Sequence, residues 1–437
     1  MTFGTSTAIT SVRGREVWDS RGRPTIEVEV ELGGGACGSA IAPAGASRGS
    51  GEAVDLRDGG ARLGGLGVTD AVTGVDTVLA AALASRDAAD QEGVDAVLVE
   101  ADGTDDRSHL GGNALVATSM AVAHAAAAAA GVPLWSWLRY GGPGDGGELA
   151  LPMPEVQAIG GGAHAGRRVD LQDFMVVPLR ADSFRQALEW VAECHLATGE
   201  VLAASGAGAE ARGVADEGGY WPAVGSNEDA IGILARGIER AGFEPGVEVA
   251  IALDVAASEF GSGGRYRLDA DGEVLDSRSW HDRLVRWVDR YPITSLEDPL
   301  AEDDLGAFAA FTAEVGHRVQ VVGDDLTVTN AARVDEAARA GACNALLVKP
   351  NQVGTLTEAK AAFSAARRAG WETIVSARSG ETEDVTLVHV AVGWGADYVK
   401  VGSITRGERT AKWNEMLRIE DRLGPAATLR APRRTRT

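Results

Sequence analysis

Cysteine is scarce in this chain: Cys37, Cys194 and Cys343 are its only three among 437 residues. So few and so scattered, they exclude a disulfide framework and a cysteine metal site, and they point to a reducing cytoplasm. No uncharged apolar run of about 18 residues occurs, which argues against a membrane span. The N-terminus lacks a basic stretch followed by an apolar core, so no secretory signal is expected. Positive charge is also in short supply. With 41 Lys and Arg against 63 Asp and Glu, the net charge of −22 argues against a nucleic-acid partner. The exception is a late basic group, Arg430, Arg433, Arg434 and Arg436, read as a solvated terminus.

What remains is an ordinary globular composition, 45% hydrophobic and 24% charged, long enough for two or three domains. Ile26–Leu32 alternates as Ile-Glu-Val-Glu-Val-Glu-Leu, the period of a half-buried strand. A second short strand, Cys37–Ala42, leads into a glycine-rich loop, Pro43–Gly51. Helices are expected from about Val68 to Ser85 and from Asn113 to Ala130, the latter closed by Gly131 and Pro133. This gives an α+β capping domain over residues 1–140 that carries a mobile loop. Gly141–Gly147, with five glycines and a proline, is the linker candidate. From Leu151 strands and helices alternate, the pattern of an α/β barrel over 141–424, followed by a basic tail, 425–437. The segment Gly261–Ser277 interrupts the rhythm as an insertion.

Within the barrel, six apolar runs each end in a polar or charged residue. Val249–Leu253 runs into Asp254, Ile293–Leu296 into Glu297, and Val319–Gly323 into Asp324. Ala345–Val348 then runs into Lys349, Thr373–Val375 into Ser376 and Arg378, and Tyr398–Val399 into Lys400. Successive βα units place such strand ends on one rim of a parallel barrel, the rim that carries active sites. Three carboxylates converging there repel one another unless a cation neutralises them. Hard oxygen donors suit Mg²⁺, so the pattern predicts a metal-dependent enzyme.

At this point the chain is identified by resemblance, from about residue 11 to 424, with the enolase family. The resemblance is carried by Glu16-Val-Trp-Asp-Ser-Arg-Gly-Arg-Pro-Thr25, Asp216-Glu-Gly-Gly219, Ala252-Leu-Asp-Val-Ala-Ala-Ser-Glu-Phe260 and Ser295-Leu-Glu-Asp-Pro299. Gly323-Asp-Asp-Leu-Thr-Val-Thr-Asn330, Lys349 with Asn351-Gln-Val-Gly354, and Arg378-Ser-Gly-Glu-Thr-Glu-Asp384 extend it. It implies an enolase-type (β/α)8 barrel behind an N-terminal α+β domain, a hydro-lyase activity, and two Mg²⁺ per site. It further implies Asp254, Glu297 and Asp324 as ligands of the first ion and Ser47 of the second. Lys349 resembles the base that takes the C2 proton, Glu217 the acid that expels the C3 hydroxyl, and Asp173 a carboxylate that assists it. Lys400 resembles a partner of the substrate carboxylate, and Arg378 and Ser379 ligands of the phosphate. Lys349 is expected to have a lowered pKa beside the cations, so that it acts as a base near neutral pH. A homodimer or higher homo-oligomer is the implied assembly, and a phosphorylated or phosphonylated glycerate the implied partner.

Departures from the family pattern gather around the substrate. Ala377 stands where enolases carry His, and Gln172-Asp173-Phe174 where they carry Gln-Glu-Phe. The loop Gly160-Gly-Gly-Ala-His-Ala165 keeps His164 but loses two polar side chains, and Ala44-Gly-Ala-Ser-Arg-Gly49 brings in Arg48, with Gly51 replacing a basic residue. Most of these changes remove volume, while Arg48 adds a cation. They suit a bulkier, more anionic analogue of 2-phosphoglycerate, as in the carboxyphosphonoenolpyruvate synthase type of enolase homologue in phosphinate antibiotic formation. An extra carboxylate there would pair with Arg48, Arg167 or Arg168. An ordinary glycolytic activity and a non-catalytic binding scaffold are the competing readings.

Overall fold

A computed structural model describes residues 6–140, 149–207 and 213–432. The N-terminal part is a three-stranded antiparallel sheet, β1 (Ile9–Trp18), β2 (Pro24–Leu32) and β3 (Cys37–Ile41), in that spatial order. The alternation in β2 has the expected result: Ile26, Val28, Val30 and Leu32 are buried while Glu29 and Glu31 face solvent. β3 packs directly on the helix Gly112–Ala130. A Cβ at Gly38 would lie 2.2 Å from the Ala125 nitrogen, so only glycine permits this approach. This helix is long and apolar enough to cross a membrane by length and composition, but it is a core helix, 78% buried over its most apolar window. The first expected helix runs over Thr69–Gly74, Val75–Leu79 and Ala80–Leu83, the middle stretch being a wider π turn. A further helix, Gln91–Asp102, has no clear apolar stripe in the sequence because Gln91, Asp95 and Asp102 stand on its buried side.

Eight strands close the barrel: β4 (Met153–Gly160), β5 (Asp173–Val177) and β6 (Ala250–Asp254), then β10 (Ile293–Glu297), β11 (Gln320–Gly323), β12 (Ala345–Val348), β13 (Glu372–Ser376) and β14 (Tyr398–Gly402). Between β6 and β10 the insertion forms its own small sheet, β7 (Gly261–Ser262), β8 (Arg265–Leu268) and β9 (Glu273–Asp276), which accounts for the wide first gap.

The expectation of a uniformly parallel, alternating barrel is corrected at its start. β5 runs antiparallel to both β4 and β6. No crossover helix lies between β4 and β5, only a 3₁₀ turn at Gly162–Ala165, and without a crossover a parallel partner is out of reach. Two helices, Phe184–Leu202 and Asn227–Arg240, follow β5 instead. The reversal puts the first residue of β5, Asp173, on the rim where the other strands end, in register with Asp254.

The barrel floor is closed by the chain's last described residues. Leu151 donates to Thr428 O at 2.7 Å, Arg430 N donates to Leu151 O at 2.8 Å, and Leu429 packs on the lower apolar layer around Met153 and Val177. The start of the tail is therefore docked rather than solvated. Arg433, Arg434 and Arg436, and the linker candidate Gly141–Gly147, lie outside the described residues.

Candidate active site

Inward-facing positions at the strand ends deliver a dense set of charges to one rim. Lys400 Nζ lies 2.7 Å from both Asp254 Oδ2 and Glu297 Oε2, and 3.4 Å from Asp173 Oδ2. Lys349 Nζ lies 2.5 Å from Asp324 Oδ2, whose other oxygen accepts from Gln352 Nε2 at 2.9 Å. All of these side chains are buried, so the acids and the lysines neutralise one another in a setting where neither could stand alone.

The electrostatics follow from that packing. Burial works against the charge on Lys400, yet Asp254 and Glu297 outweigh it and hold its pKa well above the ordinary lysine value. Lys349 is likewise raised: burial opposes its charge and Asp324 more than compensates. The expected lowering is therefore not produced by the protein's own residues, because carboxylates crowd this amine more closely than Arg378 and Lys400 do. Glu297 is pushed well above the carboxylate range by burial and by the neighbouring Asp254. Its Oε1 is buried and, among the described residues, accepts no hydrogen bond. An oxygen of this kind, within a set of buried carboxylates, fits a hard divalent cation. Among the described residues, the strand-end acids whose oxygens all approach within 4.8 Å are Asp298, Asp324 and Asp325 rather than Asp254, Glu297 and Asp324, although the Asp298 carboxylate already accepts from the Asp324 and Asp325 amides at 2.9 and 2.7 Å.

On the opposite wall, His164 Nδ1 lies 3.1 Å from Asp173 Oδ1 and 4.0 Å from Glu217 Oε1. Burial disfavours an imidazolium, but the two carboxylates outweigh it and raise the His164 pKa. The carboxylates themselves diverge. Against the effect of burial, His164 and Lys400 hold Asp173 below its ordinary range. Burial and the charge on Asp173 push Glu217 upward. Such divergence marks an acid beside an ionised neighbour.

The cleft between these walls is narrow and is lined by Ser47, His164, Glu217, Asp254, Lys349, Ala377, Arg378, Ser379 and Lys400, together with Gly45, Ala46, Gln172 and Ser376. The capping-domain loop forms its lid. Ala46 N donates to Ser379 Oγ at 2.7 Å, Arg378 Nη2 donates to Ser47 O at 3.0 Å, and Ala44 bridges to Gly380. A Cβ on Gly45 would lie 1.9 Å from Arg378 Nη2, so the loop approaches the guanidinium as closely as a backbone can.

Three residues expected near the substrate are placed elsewhere. Arg48 does not line the cavity; its guanidinium donates to Ala53 O at 2.7 Å and lies 3.9 Å from Glu52. Arg167 pairs with Glu259 at 2.6 Å in a separate outer cleft, and Arg168 stacks 4.1 Å over the Trp221 ring.

Other residues matter that sequence reading passed over. Glu52 holds Arg378 in a buried ion pair, and fully buried Arg409 donates to the Arg378, Val401 and Ser379 carbonyls, fixing the loop after β13. Arg21 Nη1 donates to Ser379 Oγ at 3.1 Å, and Gln157 bridges Asp173 to the Gly219 amide. Glu52 was within reach, since an acid one position beyond a basic glycine-rich loop invites pairing. Gln157 and Arg409 gave no such signal.

Residues 9–138 match the family described as Enolase, N-terminal domain, and residues 148–436 the one described as Enolase, C-terminal TIM barrel domain. A protein of Rubrobacter xylanophilus named Enolase is 48% identical over 422 residues, covering 96% of each chain.

Proposed function

Since the chain belongs to the enolase family and is a hydro-lyase of that family, we propose that it eliminates water from a 2-phosphoglycerate-like substrate to give an enolpyruvate product, with Mg²⁺ as cofactor. In this reading Lys349 Nζ takes the proton from C2. The electron pair left behind moves toward the substrate carboxylate and then forms the C2–C3 double bond as the C3–O bond breaks. Glu217, whose pKa burial and Asp173 push upward, gives its proton to the departing hydroxyl, which leaves as water. Lys400 faces the substrate carboxylate, and Arg378 and Ser379 hold its phosphorus group. Asp254, Glu297 and Asp324 would hold the first Mg²⁺ and Ser47 would contribute to a second. Bound there, the ions would offset the charge that develops on the substrate carboxylate and would counter the carboxylates that raise Lys349.

The finer assignment is a substrate larger and more anionic at phosphorus than 2-phosphoglycerate, of the carboxyphosphonate kind. The observation that carries it is Ala377 on the wall beside Arg378, a methyl where the family pattern has an imidazole. The resemblance to a relative named Enolase favours a second reading, the conversion of 2-phospho-D-glycerate to phosphoenolpyruvate. Steady-state turnover decides between them: glycolytic rates on 2-phospho-D-glycerate overturn the specialised assignment, and poor rates that improve with a carboxyphosphonate analogue support it. Either activity fits a cytoplasmic homo-oligomer.

A further inference from the structure

Beneath the His164–Asp173–Glu217 wall lies a neutral side chain with no place in the chemistry above. Gln157, on β4, is 1% exposed and stands between two parts of the site. Its Oε1 accepts from the Gly219 amide at 2.7 Å, and its Nε2 donates to Asp173 Oδ1. The orientation of this amide is dictated by its surroundings. A backbone N–H can only donate, so the carbonyl end must face Gly219, and the NH2 end is then aimed at Asp173.

The local backbone is shaped to admit this bridge. A Cβ at Gly219 would lie 2.6 Å from Gln157 Oε1, and one at Gly160 would lie 3.2 Å from Nε2. Gly219 belongs to the turn that carries Glu217, and that turn is tied to the rim by other bonds. Asp216 N donates to His164 O and Ser403 N to Glu217 O, each at 2.9 Å, while Tyr220 N donates to Ala158 O at 2.8 Å. Those bonds hold the backbone. Gln157 joins that backbone to a side chain that faces the acid, because Asp173 Oδ1 also pairs with His164 Nδ1.

We propose that Gln157 is a positioning residue for the acid half of the reaction: it sets the Glu217 turn against Asp173 and His164, so that the proton donor faces the leaving hydroxyl. Lys349, at the end of β12 on the other side of the rim, makes no contact with this bridge. The inference rests on the dehydratase reading, and it separates two steps that the reading leaves joined. Loss of Gln157 should impair departure of the hydroxyl and spare proton removal at C2.

The test uses the full chain with Mg²⁺ and 2-phospho-D-glycerate, measuring phosphoenolpyruvate formation and, in D2O, exchange of the C2 hydrogen. In Gln157→Leu, kcat for elimination is expected to fall about 10–100-fold, the usual cost of removing an orienting partner. C2 exchange and KM should stay within about threefold of wild type by the same reasoning, since the base is untouched. Gln157→Asn keeps both polar functions on a shorter arm and should recover elimination about tenfold over Gln157→Leu. It also provides a folded comparison if the leucine variant is unstable. Equal loss of exchange and elimination would make Gln157 merely structural, and unchanged elimination would remove it from the mechanism. Wild-type protein that neither exchanges nor eliminates, with 2-phospho-D-glycerate or with a carboxyphosphonate analogue in its place, would overturn the dehydratase reading itself, and this inference with it.

Discussion

Arg378 and Glu52 form a buried ion pair across the junction of the two domains, with Nη1 2.9 Å from Oε2 and Nη2 3.2 Å from Oε1. Each side chain is 3% exposed. The pair ties the capping-domain loop to the residue that follows β13, and it occupies one edge of the guanidinium proposed to meet the substrate's phosphorus group. Breaking such a pair from one side leaves a charge buried without its partner. Glu52→Gln is therefore expected to destabilise the protein by about 3–5 kcal/mol. Inorganic phosphate should restore part of this loss in the variant and have a smaller effect on wild type. Thermal denaturation with and without phosphate checks both.

If the buried carboxylates at the strand ends hold Mg²⁺ as proposed, stability should depend on the cation. Mg²⁺ at about 100 times its dissociation constant should add about 2.7 kcal/mol to the unfolding free energy. Glu297→Gln removes a carboxylate oxygen that has no hydrogen-bond donor among the described residues, and with it most of this gain. Titration calorimetry and thermal midpoints with added Mg²⁺ measure the effect, and equal stabilisation of the variant would exclude Glu297 as a ligand.

Ala377 decides how much room lies beside Arg378. Ala377→His is expected to raise turnover of 2-phospho-D-glycerate, and to lower turnover of a carboxyphosphonate analogue about tenfold, by filling the cavity wall. The ratio of kcat/KM values for the two substrates is the quantity to follow. A ratio unmoved by the substitution would show that this wall does not select the substrate.

His195, stacked at 4.3 Å on Tyr220 with no hydrogen-bond partner for its Nε2 among the described residues, supports the segment that follows Glu217. Burial lowers its pKa to about 4. In the unfolded chain the ordinary value is about 6.5, so the unfolded state binds the proton first as pH falls. The contribution of His195 to stability is then full above about pH 6.5 and declines toward pH 4, by up to about 1.4 kcal/mol per pH unit. Urea midpoints between pH 7.5 and 5 should show this slope, and His195→Phe should flatten it.

The parts of this molecule legible in sequence are those where local pattern and tertiary position coincide. The alternation of Ile26–Leu32 follows directly from one wet and one buried face, and each apolar run that ends in Asp254, Glu297, Lys349 or Lys400 is a strand meeting a polar rim. Those residues are delivered by the period of the backbone itself. A short β4–β5 connection carries no such signal. The reversal of β5 was missed for that reason, although it is what brings Asp173 to the rim. Helix Gln91–Asp102 escaped notice because polar side chains occupy its buried face, satisfied by partners far away in the chain: Asp95 accepts from Thr357 across 262 positions.

By itself, then, the sequence determined the two-domain α/β architecture and the charged residues that end the barrel strands, because strand periodicity and strand ends are local properties. Only the tertiary structure decided how the charges are shared. It set Lys400 between Asp254 and Glu297, gave Arg378 to Glu52, turned Arg48 out of the cavity and put Gln157 behind the acid. Pairing among buried charges depends on distances between strands and domains, and hydrogen bonds leave no period in a chain.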